Sequence, residues 1–185
     1  KNTFSLELEI PDNLQDKFCF EAGQFVSLKF TFNNEEVIND YSITSAPYEK
    51  KITLGIKVNS KESSTFGLYK DFNVGDFVYV SEPSGRFTMS SKPHEFRTII
   101  GFASGIGITP ILSHFKNILH NEARTRMFLF IGNKTSENIA FKDELDELVK
   151  KYNDRLHIYY FYSQEKPEDQ LFYGRLDAQK LNLII

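Results

Sequence analysis

Hydrophobic and polar positions alternate with period two over the first half of the chain and recur every three to four residues over the second. Phe4, Leu6, Leu8 and Ile10 alternate with Ser5, Glu7 and Glu9, which predicts a strand with one buried and one wet face. Pro11–Leu14 reads as a turn or a short helical start. Further strands are expected over residues 25–32, 37–45, 51–58 and 77–80. Asn33-Asn34-Glu35-Glu36 is the hairpin loop and Ala46-Pro47 a turn. Ser64-Thr65 can cap a short helix from Phe66 to Phe72. Five strands with one short helix predict a small antiparallel β-barrel. The polar break Ser90-Ser91-Lys92-Pro93-His94-Glu95 marks a domain boundary, with residues 1–93 as the barrel and 94–185 as a second domain.

Beyond the break the period changes. Strand 97–102 runs into Gly101, Gly105 and Gly107. Thr109-Pro110 then opens an amphipathic helix over 109–120, with Ile111, Leu112, Phe115, Ile118 and Leu119 on one face. A strand follows over 125–132. Ser136 is the expected cap of a helix carrying Ile139, Phe141, Leu145, Leu148 and Val149. A third strand spans 155–161, and Arg175-Leu176-Asp177 leads into a last partial helix. Strand and helix in alternation with short joins predict an α/β domain with a mostly parallel, helix-covered sheet. Glycines let backbone approach a bulky ligand, and a helix start leaves N–H groups unpaired, so the 101–109 turn can hold a pyrophosphate. A purely structural tight turn is the other reading. The spacing differs from the usual dinucleotide fingerprint, and no Walker lysine follows.

Composition narrows the classes. The chain has 185 residues, 41% hydrophobic and 25% charged, with 18 Phe, 9 Tyr and no Trp, enough for a sizeable core. A formal net charge of -3 carries no nucleic-acid footprint. No apolar run is long enough for a membrane span, and no signal peptide opens the chain, so a cytoplasmic protein is expected. The single cysteine, Cys19, excludes an internal disulfide and a cysteine-cluster metal site, and in Phe18-Cys19-Phe20 it reads as a small buried hydrophobe. His94, His114, His120 and His157 have no ligand spacing, so no metal is expected. No serine sits in a Gly-x-Ser-x-Gly elbow, which argues against a hydrolase triad. Asp143, Glu144, Asp146 and Glu147 stand at helical spacing from Lys142, Lys150 and Lys151, as on a solvated face.

Taken in order, several segments resemble the ferredoxin–NADP reductase superfamily. They are Asp40-Tyr41-Ser42-Ile43-Thr44-Ser45, Ser64-Thr65, Pro83-Ser84-Gly85-Arg86-Phe87, Gly101–Pro110, Phe130–Thr135, Phe141–Leu145 and Gly174-Arg175-Leu176-Asp177. Within it the chain is most similar to the oxygenase reductases, the group of the phenylacetyl-CoA epoxidase reductase component. The resemblance implies an FAD-binding barrel, with FAD rather than FMN, followed by an NAD(P)-binding domain. The implied enzyme takes hydride from NADH or NADPH to the flavin and passes single electrons to an iron–sulfur partner. It also implies the site residues. Tyr41 lies against the isoalloxazine, Ser42 sits near its N5, and Ile43 offers backbone to the ring edge. Asn39, Lys57, Ser64 and Thr65 fall at the flavin phosphates, and Arg86 is a further candidate there. Gly105, Gly107 and Thr109 hold the nicotinamide dinucleotide, with Asn133 and Lys134 towards its adenosine half.

Departures from that pattern shape the alternatives. The family usually carries arginine where this chain has Asn39, and a second basic residue where Val58 follows Lys57. Loss of a bidentate phosphate partner predicts weaker FAD binding. This motivates a non-catalytic nucleotide- or partner-binding relative on the same scaffold. A reductase without an iron–sulfur step is the third reading. The chain starts inside an alternating run and stops in apolar residues, so a domain fragment truncated at the C-terminus is expected. With one cysteine it can ligate no 2Fe-2S cluster. A ferredoxin-like domain or protein, or an oxygenase component, is the expected partner.

Overall fold

The computed structural model describes residues 2–184. The chain forms two units, one of residues up to Ser90 with Thr109–Asn117, the other of Ser91–Ile108 with the chain from Ile118 onward.

The first unit contains β1 (Thr3–Leu8), β2 (Phe25–Phe32), β3 (Glu35–Ser42), β4 (Ile52–Lys57) and the short β5 (Tyr79–Val80). β1 pairs antiparallel with β4, from Thr3 opposite Lys57 to Leu8 opposite Ile52. β2 lies between β3 and β5, antiparallel to both. A bridge from Ile43 to Leu54 links the two sheets, and Phe25 bridges to Ser84. The period-two pattern explains the core: Val26, Leu28 and Phe30 point inward from β2 and meet Tyr41, Ile43, Leu54 and Ile56. The hairpin is tighter than expected, because Asn33 and Asn34 alone turn the chain with φ of 52° and 64° and Phe32 already pairs with Glu35. Asparagine tolerates this left-handed backbone well. Phe77 and Val78 lie outside β5, with Phe77 fully exposed. Cys19 is exposed rather than buried, since Phe18 and Phe20 take the inward positions on either side.

Helix α1 (Ser64–Asp71) is capped by Ser63, whose Oγ accepts the Phe66 N–H at 3.3 Å, so Ser64 and Thr65 are its first helical residues rather than its cap. α1 packs its buried Gly67 and Leu68 inward. A Cβ on Gly67 would stand 2.4 Å from Phe32 Cδ2. Gly67→Ala is therefore expected to destabilise by about 1–2 kcal/mol, overpacking exceeding the gain in helix propensity. A urea titration showing the variant more stable than wild type would overturn this.

In the second unit β6 (Thr98–Ser104), β7 (Arg126–Asn133) and β8 (Leu156–Tyr162) form a parallel sheet in that order. Phe102, Phe130 and Tyr159 share one row across it. Their rings stack at 5.4 Å and 5.1 Å between centroids. Helix α2 (Ile108–Asn121) is divided, its Thr109–Asn117 belonging to the first unit, whereas α3 (Lys142–Lys151) and α4 (Ala178–Ile184) belong to the second. α3 starts at Lys142, not after Ser136. Phe141 has φ of 59°, which no helix continues through, and Ser136 opens a separate 3-10 turn. Lys142 and Asp146 pair one turn apart on α3, as the charge pattern predicts.

Candidate functional site

The flavin-type residues gather at the end of β3. Asn39 and Tyr41 are two apart on one strand and so share a face. The Asn39 Nδ2 donates to Tyr41 Oη and to Ser64 Oγ, both at 3.3 Å, which fixes β3 to the first turn of α1. Tyr41 is mostly buried. Burial pushes its phenol pKa up, and the Asn39 hydrogen bond opposes this only in part, so the hydroxyl stays protonated at neutral pH. Its oxygen accepts from Asn39, which leaves the O–H proton for an acceptor. Thr65 Oγ1 lies 3.0 Å from Ser63 Oγ. Ser42 closes β3 opposite Phe25. Ile43 is fully buried and its N–H donates to Gln24 O at 2.9 Å. Lys57 ends β4 opposite Thr3, outside the bonded cluster. Arg86 is exposed beside Gly85, a residue with φ of 120°.

The nucleotide-type residues stand at the carboxyl ends of β6 and β7. Gly105 and Gly107 form a 3-10 turn between β6 and α2, and Gly105 has φ of 53°. A Cβ at either would meet nothing within 4 Å, so the backbone here faces open space rather than packed protein. An open turn of this kind leaves room for a ligand to approach the backbone. Thr109 follows, buried in the first turn of α2. Asn133 ends β7, and its Nδ2 is buried without a hydrogen-bond partner. A buried amide donor lacking an acceptor is costly unless a ligand or water supplies one. Lys134 is exposed next to it.

Two family models tile the chain. The oxidoreductase FAD-binding domain matches residues 1–89 and the oxidoreductase NAD-binding domain matches residues 102–184. This chain belongs to the ferredoxin–NADP reductase family. It is 30% identical over 183 residues to a component of the 1,2-phenylacetyl-CoA epoxidase of Escherichia coli K12, covering 98% of this chain and 51% of that protein. It is 31% identical over 161 residues to the ferredoxin reductase component of 3-ketosteroid-9-alpha-monooxygenase from Rhodococcus rhodochrous, covering 85% and 44%. The cytochrome b5 reductase domain of Ulva prolifera nitrate reductase shares the fold, with a TM-score of 0.79 at 24% identity over 98% of this chain and 74% of that one. The chain thus spans about half the length of the curated relatives it matches. The reductase resemblance and the barrel-plus-α/β architecture expected from the sequence both hold.

The residues present fit the groups that these reductase domains bind. Tyr41 is buried and Ser64 and Thr65 are half-buried, and all three carry hydroxyls able to donate to a ligand. Asn39 stands among them as a neutral donor. The open glycine turn and the unpartnered Asn133 amide fit a dinucleotide. Among the described residues, no helix is long and apolar enough to cross a membrane. Reading the sequence passed over Glu165, which accepts the Ser136 N–H at 2.6 Å and the Ser136 hydroxyl at 2.9 Å. The one available signal was an acid just past the third apolar strand, a weak cue without knowing that the 133–136 segment runs beside it.

Proposed function

We propose that this chain is the flavin and nicotinamide module of an NAD(P)H-dependent electron-transfer reductase. The observation that carries the reading is the succession, in one chain, of an FAD-binding match over residues 1–89 and an NAD-binding match over residues 102–184. When bound, the flavin supplies the chemistry, accepting hydride from a reduced nicotinamide and releasing electrons one at a time. The chain's own task is positioning, because hydride transfer needs two flat rings held in contact. Tyr41, steadied by Asn39, offers a protonated hydroxyl to the flavin's ribityl chain. Ser42 places its hydroxyl near the reacting ring edge. Ser64 and Thr65, at the start of α1, donate to the phosphates, aided by the unpaired N–H groups of that turn. Lys57 adds positive charge. Gly105 and Gly107 let the dinucleotide approach the backbone, with Thr109 behind them and Asn133 and Lys134 towards its adenosine.

The electron acceptor is proposed to be an iron–sulfur domain or protein serving an oxygenase. The likeness to an epoxidase component and to a monooxygenase ferredoxin reductase component supports this. The deciding measurement is the visible spectrum of the purified protein under anaerobic conditions, before and after NADH or NADPH. A flavin band that bleaches with either nucleotide is expected. A folded protein that neither takes up FAD nor reacts with nucleotide would overturn the reading. Asn39→Arg is expected to tighten FAD at least about tenfold, because a guanidinium forks onto a phosphate as an amide cannot. Equal or weaker FAD affinity, by fluorescence titration, would count against Asn39 lying at the phosphates.

A further inference from the structure

The first turns of α2 belong to the barrel unit, since Thr109–Asn117 group with the chain up to Ser90. Three side chains fix them there. Ser113 Oγ donates to Ser45 O at 2.6 Å, and both residues are fully buried. Ser45 closes the segment that carries Tyr41 and Ser42. Lys116 Nζ pairs with Glu49 Oε2 at 3.0 Å. His114 is the third anchor. Its Nε2 lies 2.7 Å from Phe87 O, and its ring sits over Gly23, where a Cβ would come within 2.3 Å of Nε2. Nε2 carries the ring proton, because a carbonyl oxygen only accepts. The other ring nitrogen, Nδ1, is buried with no hydrogen-bond partner. A second proton would land there, on a cation shut away from water with no acceptor. The charged groups around it give no relief. Glu21 and Arg86, on the two segments that touch the ring, are exposed. On α2, Lys116 pairs with Glu49, and Pro110, Ile111, Asn117 and Ile118, one turn away, carry no charge.

We propose that His114 is a positioning residue for hydride transfer, its neutral ring clamping the start of α2, and with it Thr109, onto the unit that carries the flavin-type residues. This role rests on the reductase reading above. Thr109 and His114 lie in one run of helix, so what fixes the ring fixes the nucleotide-holding hydroxyl. Reacting rings must be held in close register, and a misplacement of about 1 Å costs on the order of a hundredfold in rate. Protonation removes the clamp. The charged ring gains a donor that nothing accepts and leaves its seat beside Phe87 O, while Ser113 and Lys116 keep the helix attached. The folded pKa of His114 lies below 6.5, first through burial, with the Phe87 O bond opposing. Hydride transfer is therefore full at neutral pH and declines at a pH below 6.5.

The test uses the intact protein with its flavin. The rate of flavin reduction by saturating NADH or NADPH is followed by anaerobic stopped-flow from pH 8 to pH 4.5, with flavin fluorescence reporting that the cofactor stays bound. The wild type is expected to slow on the acid side while flavin remains bound. His114→Ala is expected to reduce its flavin about tenfold more slowly at pH 7.5, with the loss in the limiting rate rather than in KM. His114→Gln, whose amide Nε2 still reaches towards Phe87 O but does not titrate, is expected to restore most of that rate and to show no acid limb. A merely structural histidine would move stability and flavin retention without moving this pH profile. The same acid limb in wild type and His114→Gln, or a wild-type limiting rate in His114→Ala, would overturn the role of His114 and leave the reductase reading standing. Should His114→Ala fail to fold, the wild-type and His114→Gln profiles decide the matter. A flavin-loaded wild type that neither nucleotide reduces would overturn both readings together.

Discussion

A Gly23→Ala variant is expected to lose about 3–5 kcal/mol of stability, the range of severe backbone and packing defects. Two independent reasons combine. Gly23 has φ of 92°, where an L-residue is strained. A Cβ there would also stand 1.9 Å from Phe87 O and 2.3 Å from His114 Nε2. Neither neighbour has room to yield. Phe87 O is backbone, and the His114 ring is bonded to it at 2.7 Å and packed edge-on against the Phe87 ring at 5.2 Å. His114 is almost wholly buried. Burial lowers its pKa, and the hydrogen bond to Phe87 O offsets this only in part. It is therefore neutral at pH 7, with Nε2–H donating. Because its folded pKa lies below the unfolded value of 6.5, its contribution is present above pH 6.5 and is lost as the pH falls through the folded pKa. A urea unfolding curve at pH 7.5 measures the Gly23 effect. A loss under about 1 kcal/mol would show that the 83–87 segment can move away freely.

The second large effect is expected at Arg97. Glu122 is wholly buried just past α2 and is surrounded by donors. Arg97 Nε and Nη2 reach its two oxygens at 2.9 Å and 2.5 Å, Thr125 Oγ1 adds a third bond at 2.5 Å, and the Lys92 N–H a fourth at 2.8 Å. Burial by itself would raise the carboxyl pKa. The hydrogen bonds from Arg97, Thr125 and Lys92, with the Arg97 charge, outweigh it and bring the pKa down to about 2. Arg97→Ala leaves a buried carboxylate without its counter-charge and is expected to cost about 3–5 kcal/mol. The sign of the pH dependence follows. The unfolded glutamate binds protons near pH 4.5 and the folded one only near pH 2, so stability is full above pH 4.5 and falls as the pH drops through about 2. In Glu122→Gln that acid-side loss is expected to shrink by roughly 3 kcal/mol. Urea midpoints measured from pH 7 to pH 2 would reveal it. Parallel curves for wild type and Glu122→Gln would show that the carboxylate does not set the acid limb.

These two clusters and the nucleotide-type turn differ in how far the sequence announced them. The open turn at Gly105 and Gly107 was readable because glycines mark a turn at a strand-to-helix junction, and local pattern reports such junctions. Tyr41 and Ser42 were singled out through the motif they belong to, and their place at the end of β3 follows from the strand pattern. The contact between Asn39 and Ser64 was not, because it joins residues 25 apart through a strand-to-helix packing that no local pattern encodes. The cap at Ser63 and the late start of α3 were misplaced by a few residues for a related reason. Several serines and threonines compete for each cap, and the chain's tertiary path decides which is extended and which is helical. Ser136 has no cap role because the chain passes through the left-handed Phe141 before α3 begins at Lys142.

By itself the sequence determined the architecture: a period-two half that must bury one face of each strand, and a strand-helix half whose apolar sheet must be covered. It also determined the reductase family, because the order of short motifs survives where each alone is weak. Only the tertiary structure decided which polar side chains meet. Glu122 with Arg97, His114 with Phe87 beside Gly23, and Glu165 with Ser136 each unite residues 25 or more apart. Periodicity reports which face of an element is buried. The partner a buried charge or a close backbone finds is set by how the elements pack, and it is there that the largest stability effects arise.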